Sequence, residues 1–128
     1  MRVLLDTHAF LWWVLEDPRL SARARSVITA PETDVLVSAV SAWEIAIKAA
    51  DRRLDLPELA QAYVPDRIAA NGFRELHVTV EHAVGVAGLP PIHRDPFDRL
   101  LVAQAQVEGI PIITSDPAIA RYDVDVIW

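Results

Sequence analysis

The chain has no cysteine, only four glycines and a single lysine among its 128 residues. The lack of cysteine excludes disulfides, thiolate metal sites and a cysteine nucleophile, and it suits a reducing cytoplasm. The glycines form neither a phosphate-binding loop nor a dinucleotide fingerprint. No apolar run is long enough to span a bilayer, and Met1 leads straight into an apolar stretch, so we expect no membrane anchor and no signal peptide. We predict a cytoplasmic protein with one domain, residues 1–128.

Acidic residues outnumber basic ones by 18 to 12, and half of the chain is hydrophobic. That apolar content predicts a packed core rather than a disordered chain. The net charge of −6 argues against a nucleic-acid partner, because such binding depends on neutralising phosphates. The argument fails if several carboxylates hold divalent cations, since bound cations reverse the local charge.

Short apolar strands alternate with helical segments along the chain. The strands are predicted at 2–6, 34–38, 73–78, 110–114 and 124–128. The helices are predicted at 7–16, 21–30, 40–51, 58–71, 80–89 and 96–108. Pro65 is expected to split or kink the fourth helix. This alternation predicts a three-layer α/β/α fold with a central, mostly parallel sheet of about five strands.

Four acidic residues fall at points that this fold could bring together. Asp6 ends the first strand, and Glu44 faces out of the helix after the second strand. Asp98 lies in the first turn of the sixth helix, and Asp116 lies just beyond the fourth strand. Ligands of open α/β sheets bind beyond the carboxyl ends of the strands. Clustered carboxylates are stabilised by hard divalent cations, which can activate water for phosphodiester cleavage.

Each acid also has a purely structural interpretation. Asp6 is a good helix N-cap, Glu44 can pair with the lysine four residues later, and Asp116 before proline is ordinary turn chemistry. Asp95 and Asp98 resemble a capping arrangement at the start of a helix. Periodicity does not show that the four acids converge, so both interpretations stay open at this point.

Four separated stretches occur in order: LLDTHAFLWW, SAWEIAIK, DPFDRLLVAQA and ITSD. With them the chain resembles the PIN-domain family and, more narrowly, the VapC-type toxins of toxin–antitoxin pairs. The resemblance implies a compact α/β/α ribonuclease that cleaves RNA with Mg²⁺ or Mn²⁺. It implies catalytic and metal-binding roles for Asp6, Glu44, Asp98 and Asp116. Asp6 and Asp98 are the expected direct ligands, and Asp95 is the alternative to Asp98.

Several neighbouring polar residues also receive expectations from this resemblance. Thr7 and Ser38 are expected to orient the carboxylates through their hydroxyls. Ser115 stands where many relatives have Arg or Lys, which removes a phosphate contact. His8 and His93 lie near the proposed site in sequence; each either contacts substrate or has an ordinary polar or packing role.

The first predicted helix, 7–16, is apolar almost all the way round, whereas a surface helix has a polar face. Its Trp12 and Trp13 fit either a deeply buried helix or a protein–protein surface. The resemblance implies that a VapB-type antitoxin covers the early helices, and we expect it over the Trp12/Trp13 helix. It also implies an RNA substrate, and we expect a homodimer and no membrane.

Two other functions remain open from the sequence. The first is a catalytically silent PIN-like module that binds protein or RNA, which a failure to bind divalent metal would favour. The second is a phosphatase or phospho-receiver with Asp6 as the nucleophile or phosphoacceptor. His8 stands where that chemistry needs a second Asp, and the chain has no late lysine for the phosphate.

Overall fold

The computed structural model describes residues 1–128 and contains one five-stranded sheet. The strands are β1 (Arg2–Leu5), β2 (Asp34–Ser38), β3 (Arg74–Leu76), β4 (Ile112–Ile113) and β5 (Val126–Ile127). They lie in the order β3-β2-β1-β4-β5, and every neighbouring pair is parallel. The prediction of a central parallel sheet of five strands is confirmed.

Six α-helices connect and cover these strands. They are α1 (Thr7–Val14), α2 (Ala22–Thr29), α3 (Ala39–Ala50), α4 (Ala60–Ala70), α5 (Val80–Gly85) and α6 (Pro96–Glu108). Short 3₁₀ turns follow α5 and β4, at Val86–Gly88 and Ile119–Arg121. None of the helices combines the length and the apolar character that crossing a membrane requires.

The central strand β1 separates two hydrophobic cores. Successive residues of a strand point to opposite faces of the sheet. Val3 and Leu5 therefore pack in one core with side chains from α1, α2 and α4, while Leu4 packs in the other with side chains from α6. Helices on both faces of a parallel sheet give the predicted three-layer α/β/α fold.

Pro65 does not split the fourth helix, so this part of the prediction is wrong. α4 is one element from Ala60 to Ala70, and the exposed Pro65 lies inside it. A proline inside a helix removes a backbone hydrogen bond and costs about 3 kcal/mol. Tyr63, Val64 and Ile68 of the same helix are buried, and this burial holds α4 together. The predicted helix at 80–89 is also shorter, because α5 gives way to the 3₁₀ turn.

The loops after β1, β2 and β4 lie at the same edge of the sheet because these strands are parallel neighbours. α1 begins one residue after β1, and α3 begins directly after β2. This edge is the place where open α/β sheets bind ligands. Asp6, which follows β1, and the first turns of α3 therefore lie at this ligand-binding edge.

Candidate metal centre

Asp6 occupies the single position between β1 and α1 and is only 4% exposed. Its Oδ1 accepts the backbone N–H of Ala9 at 2.7 Å, so Asp6 is the N-cap of α1. Its Oδ2 accepts the hydroxyl of Thr114, just beyond β4. Burial raises the pKa of the Asp6 carboxyl above its ordinary value, and the two hydrogen bonds only partly oppose this shift. The capping interpretation is therefore correct, and the same carboxylate lies at the sheet edge.

Thr114 connects two of the predicted site acids. Its Oγ1 donates to Asp6 and accepts the backbone N–H of Asp116 at 3.0 Å. Asp116 also makes the predicted turn, because its Oδ1 accepts the backbone N–H of Ala118 at 2.8 Å. Its Oδ2 has no hydrogen-bond partner within the chain. The turn thus fixes Asp116 beside Asp6 and leaves one carboxylate oxygen free for a ligand.

Glu44 lies on the buried side of α3 and is 2% exposed. Its Oε1 accepts the hydroxyl of Thr7 at 2.7 Å, and its Oε2 pairs with Lys48. The Thr7 oxygen also lies 2.9 Å from Ser41 Oγ. Glu44 is therefore held by a hydroxyl and an ammonium group, and Thr7 orients it in the expected way.

Asp98 lies in the first turn of α6, but Asp95 is the residue that caps this helix. Asp95 Oδ1 accepts the backbone N–H groups of Phe97 and Asp98. Burial, and then the negative charges of Asp95, Asp116, Glu44 and Asp6, raise the pKa of the Asp98 carboxyl to about 8. The structure thus favours Asp98 over Asp95 for the site, because the Asp98 carboxylate takes no part in the cap.

Asp6, Glu44 and Asp116 lie close enough to Asp98 for their charges to raise its pKa. The four predicted site acids therefore lie in one region. Within it, one oxygen each of Asp98 and Asp116 and one ring nitrogen of His93 lie within 4.8 Å of one another. Sequence reasoning emphasised Asp6 and Asp98 as the direct ligands and left His93 open. Asp6 instead has both carboxylate oxygens engaged by donors from the chain.

These residues fit a divalent cation. Neither Asp98 nor Asp116 is paired with Lys or Arg, and the one lysine of the chain is taken by Glu44. Carboxylates that repel one another without a cationic partner raise the free energy of the folded protein. A hard divalent ion with oxygen ligands and retained waters removes that cost.

The expectation that Ser38 orients a carboxylate is wrong. Ser38 is the last residue of β2, and its hydroxyl donates to Gln104 of α6 while it accepts the backbone N–H of Val40. Ser38 therefore caps α3 and links the start of this helix to α6 through Gln104. Ser115 is exposed, and the exposed His8 packs its ring against Trp12.

The two tryptophans of α1 are half-buried by other parts of the same chain. Trp12 packs edge-on against Trp128, with the guanidinium of Arg19 over its ring. Trp13 packs against Phe73 and donates its indole N–H to Asn71 at 2.9 Å. These contacts explain part of the apolar character of α1 without a partner protein.

Residues 3–125 match the model of the PIN domain family. Ribonuclease VapC22 of Mycobacterium tuberculosis (strain ATCC 25618 / H37Rv) is 32% identical over 115 residues, which cover 89% of this chain and 86% of the relative. Ribonuclease VapC16 of the same organism is 41% identical over 70 residues, which cover 52% of this chain and 48% of the relative.

Two solved structures share the fold. VapBC2 from Rickettsia felis, bound to a DNA fragment from its promoter, has a TM-score of 0.73 at 12% identity and covers 98% of this chain and 97% of that chain. FitAcB from Neisseria gonorrhoeae has a TM-score of 0.65 at 22% identity and covers 97% of this chain and 95% of that chain.

Proposed function

The chain belongs to the PIN-domain family, and we propose that it is a VapC-type endoribonuclease, the toxin of a toxin–antitoxin pair. A relative named as a ribonuclease is similar over most of both chains. The observation that carries the proposal is the group of four carboxylates at the ligand-binding edge of the sheet. These are Asp6, Glu44, Asp98 and Asp116.

We propose that these acids hold Mg²⁺ or Mn²⁺. Carboxylate oxygens of Asp98 and Asp116 would supply direct contacts, while Asp6 and Glu44 would complete the site. When bound, such an ion lowers the pKa of its water and stabilises the leaving oxygen of a phosphodiester. Thr114 and Thr7 hold Asp6 and Glu44 in fixed orientations, which a metal centre requires.

Two cationic side chains near this centre are engaged within the chain. Lys48 pairs with Glu44, Arg99 donates to Tyr122 and Pro90, and Ser115 has no charge. A cluster of acidic side chains without a bound cation would repel a phosphodiester. Substrate binding at this edge should therefore depend on divalent ions as strongly as cleavage does.

We propose a VapB-type antitoxin as the partner and the Trp12/Trp13 helix as one of its contacts. Both indoles keep part of their surface exposed. An apolar groove of about 1300 Å³ lies between α3 and α4 and is a second surface that suits a peptide. Co-purification with the product of a neighbouring short reading frame tests this. Trp13→Ala should weaken the complex if α1 is covered, and Ala46→Glu should weaken it if the groove is filled.

The test of the enzymatic proposal is cleavage of single-stranded RNA by the purified chain, free of antitoxin. We expect cleavage with Mg²⁺ or Mn²⁺ and none with EDTA. Asp6→Asn combined with Asp98→Asn should abolish it, whereas Asp125→Asn, an exposed acid outside the site, should not. Cleavage that persists in EDTA or in the double variant would contradict the proposal. No cleavage together with no binding of divalent metal would favour the silent binding module.

A further inference from the structure

His93 lies in the loop before α6, with its imidazole ring between the carboxylates and a buried tyrosine. Its Nε2 is 3.4 Å from Asp98 Oδ2, and its Nδ1 is 2.7 Å from the hydroxyl oxygen of Tyr122. A ring nitrogen of His93 and oxygens of Asp98 and Asp116 lie within 4.8 Å of one another. Small side-chain movements would bring these three atoms onto one ion.

We propose that His93 is a nitrogen ligand of the divalent metal that Asp98 and Asp116 hold. This inference rests on the proposed function, since it concerns the same centre. It adds an imidazole to a site that the sequence describes with carboxylates alone. The ligand set becomes mixed, with one nitrogen and at least two oxygens.

The surroundings of His93 fix the ring in the orientation that ligation needs. Tyr122 is 4% exposed, and its hydroxyl oxygen accepts Arg99 Nη1 at 3.0 Å. The same guanidinium nitrogen donates to the carbonyl of Pro90 at 2.8 Å, at the start of the loop that carries His93. Arg99 thus ties the tyrosine to this loop, and the imidazole has one position between Tyr122 and Asp98.

The Tyr122 hydroxyl can serve both neutral tautomers of His93. A guanidinium only donates, so the phenol oxygen keeps one lone pair and its own hydrogen for the imidazole. In the tautomer that carries Nε2–H, Tyr122 donates to Nδ1 and the Nε2–H faces Asp98. In the other tautomer, Nδ1–H donates to Tyr122, and the lone pair of Nε2 would be available to the ion. Metal-binding histidines almost always donate their second ring N–H in this way.

The other three histidines lack this arrangement. His8 packs against Trp12. His82 is 1% exposed, and its ring nitrogens are taken by the backbone N–H of Thr79 and by Glu108. His77 is exposed and lies beside Glu75. His77 therefore provides a matched control for substitutions of His93.

An imidazole ligand changes which ions the centre prefers. Mg²⁺ is a hard cation that takes oxygen ligands and retains several waters. Imidazole nitrogen is a ligand for transition metals. Binding of Mn²⁺ should therefore depend on His93 more strongly than binding of Mg²⁺ does.

The experiment is electron spin echo envelope modulation on the Mn²⁺-loaded protein, together with calorimetric titration of Mn²⁺ and Mg²⁺. We expect a ¹⁴N modulation that changes when the histidines carry ¹⁵N. His93→Gln should remove it, and His77→Gln should keep it. The Kd for Mn²⁺ should rise about tenfold or more in His93→Gln, whereas the Kd for Mg²⁺ should change less than about twofold.

Mn²⁺ that binds in an Asp98-dependent manner, without ¹⁴N modulation and with an unchanged Kd in His93→Gln, would overturn this inference. RNA cleavage that still requires the metal would show that the proposed function survives. A wild-type chain that binds no Mn²⁺ would overturn both. If His93→Gln does not fold, Tyr122→Phe replaces it: the modulation should remain while the Mn²⁺ Kd rises about tenfold, and an unchanged Kd would count against the inference.

Discussion

Asp98→Asn should stabilise the metal-free protein at alkaline pH while it removes metal-dependent cleavage. The carboxyl of Asp98 has a pKa of about 8 instead of 3.8, because burial and four nearby carboxylates disfavour its charge. Between these two values the folded chain binds a proton that the unfolded chain has lost. The free energy of unfolding therefore falls as the pH rises through this window, and it levels off above pH 8. Asparagine keeps a similar shape without the charge.

The size of the effect follows from the shift. A shift of this size, at 1.36 kcal/mol per unit, sets a ceiling of roughly 6 kcal/mol. The side chain is 17% exposed, and solvent screens part of the repulsion. We therefore expect Asp98→Asn to gain about 2–3 kcal/mol over the wild type between pH 5 and pH 8.5.

Urea denaturation in EDTA at pH 5 and at pH 8.5 measures this change. The difference between variant and wild type should grow with pH, because the wild type acquires an unfavourable charge at Asp98 and the variant does not. Asp125→Asn removes the same charge from an exposed site and should show little pH dependence. A difference that is equal at the two pH values, or a variant less stable than the wild type at pH 8.5, would refute the reasoning.

Three further substitutions separate the centre from the scaffold. Thr114→Val leaves Oδ2 of Asp6 without a donor and the backbone N–H of Asp116 without its Thr114 acceptor. The substitution should lower the free energy of unfolding by about 1–3 kcal/mol in urea denaturation. It should also weaken Mn²⁺ binding about tenfold by calorimetry. An unchanged affinity would show that Thr114 does not orient the metal-binding carboxylates. Ser38→Ala should lower the free energy of unfolding by about 1–2 kcal/mol and leave the Kd for Mn²⁺ unchanged. A higher Kd would show that Ser38 supports the metal centre. Gly109 ends α6 at φ +66°, so Gly109→Ala should lower stability by about 1 kcal/mol in thermal denaturation without affecting RNA cleavage; an unchanged melting temperature would contradict this.

Local signals predicted most of the fold. Helices begin where Asp6 and Asp95 cap α1 and α6, since such residues satisfy free backbone N–H groups. Pro65 misled the prediction because the cost of a proline is local, whereas the burial of its neighbours in α4 is tertiary. A window of sequence does not contain that burial energy.

The acids at strand ends were predictable because topology alone brings the ends of parallel strands together. For Asp6, Glu44 and Asp116 the structural interpretation is correct, since they make a cap, an ion pair and a turn. These roles do not exclude the proposed function, because the same carboxylates lie at one edge of the sheet. Sequence reasoning did not place His93 at the centre. Its position depends on Tyr122, which is 29 residues away, and no local pattern marks that contact.

An anomalous difference map from crystals soaked in Mn²⁺ tests the central claim most directly. The account predicts a strong peak bounded by the carboxylates of Asp98 and Asp116, on the side of the sheet edge where Asp6 lies. At saturating Mn²⁺, a map with no peak there, or with peaks only among acids elsewhere on the surface, would contradict it.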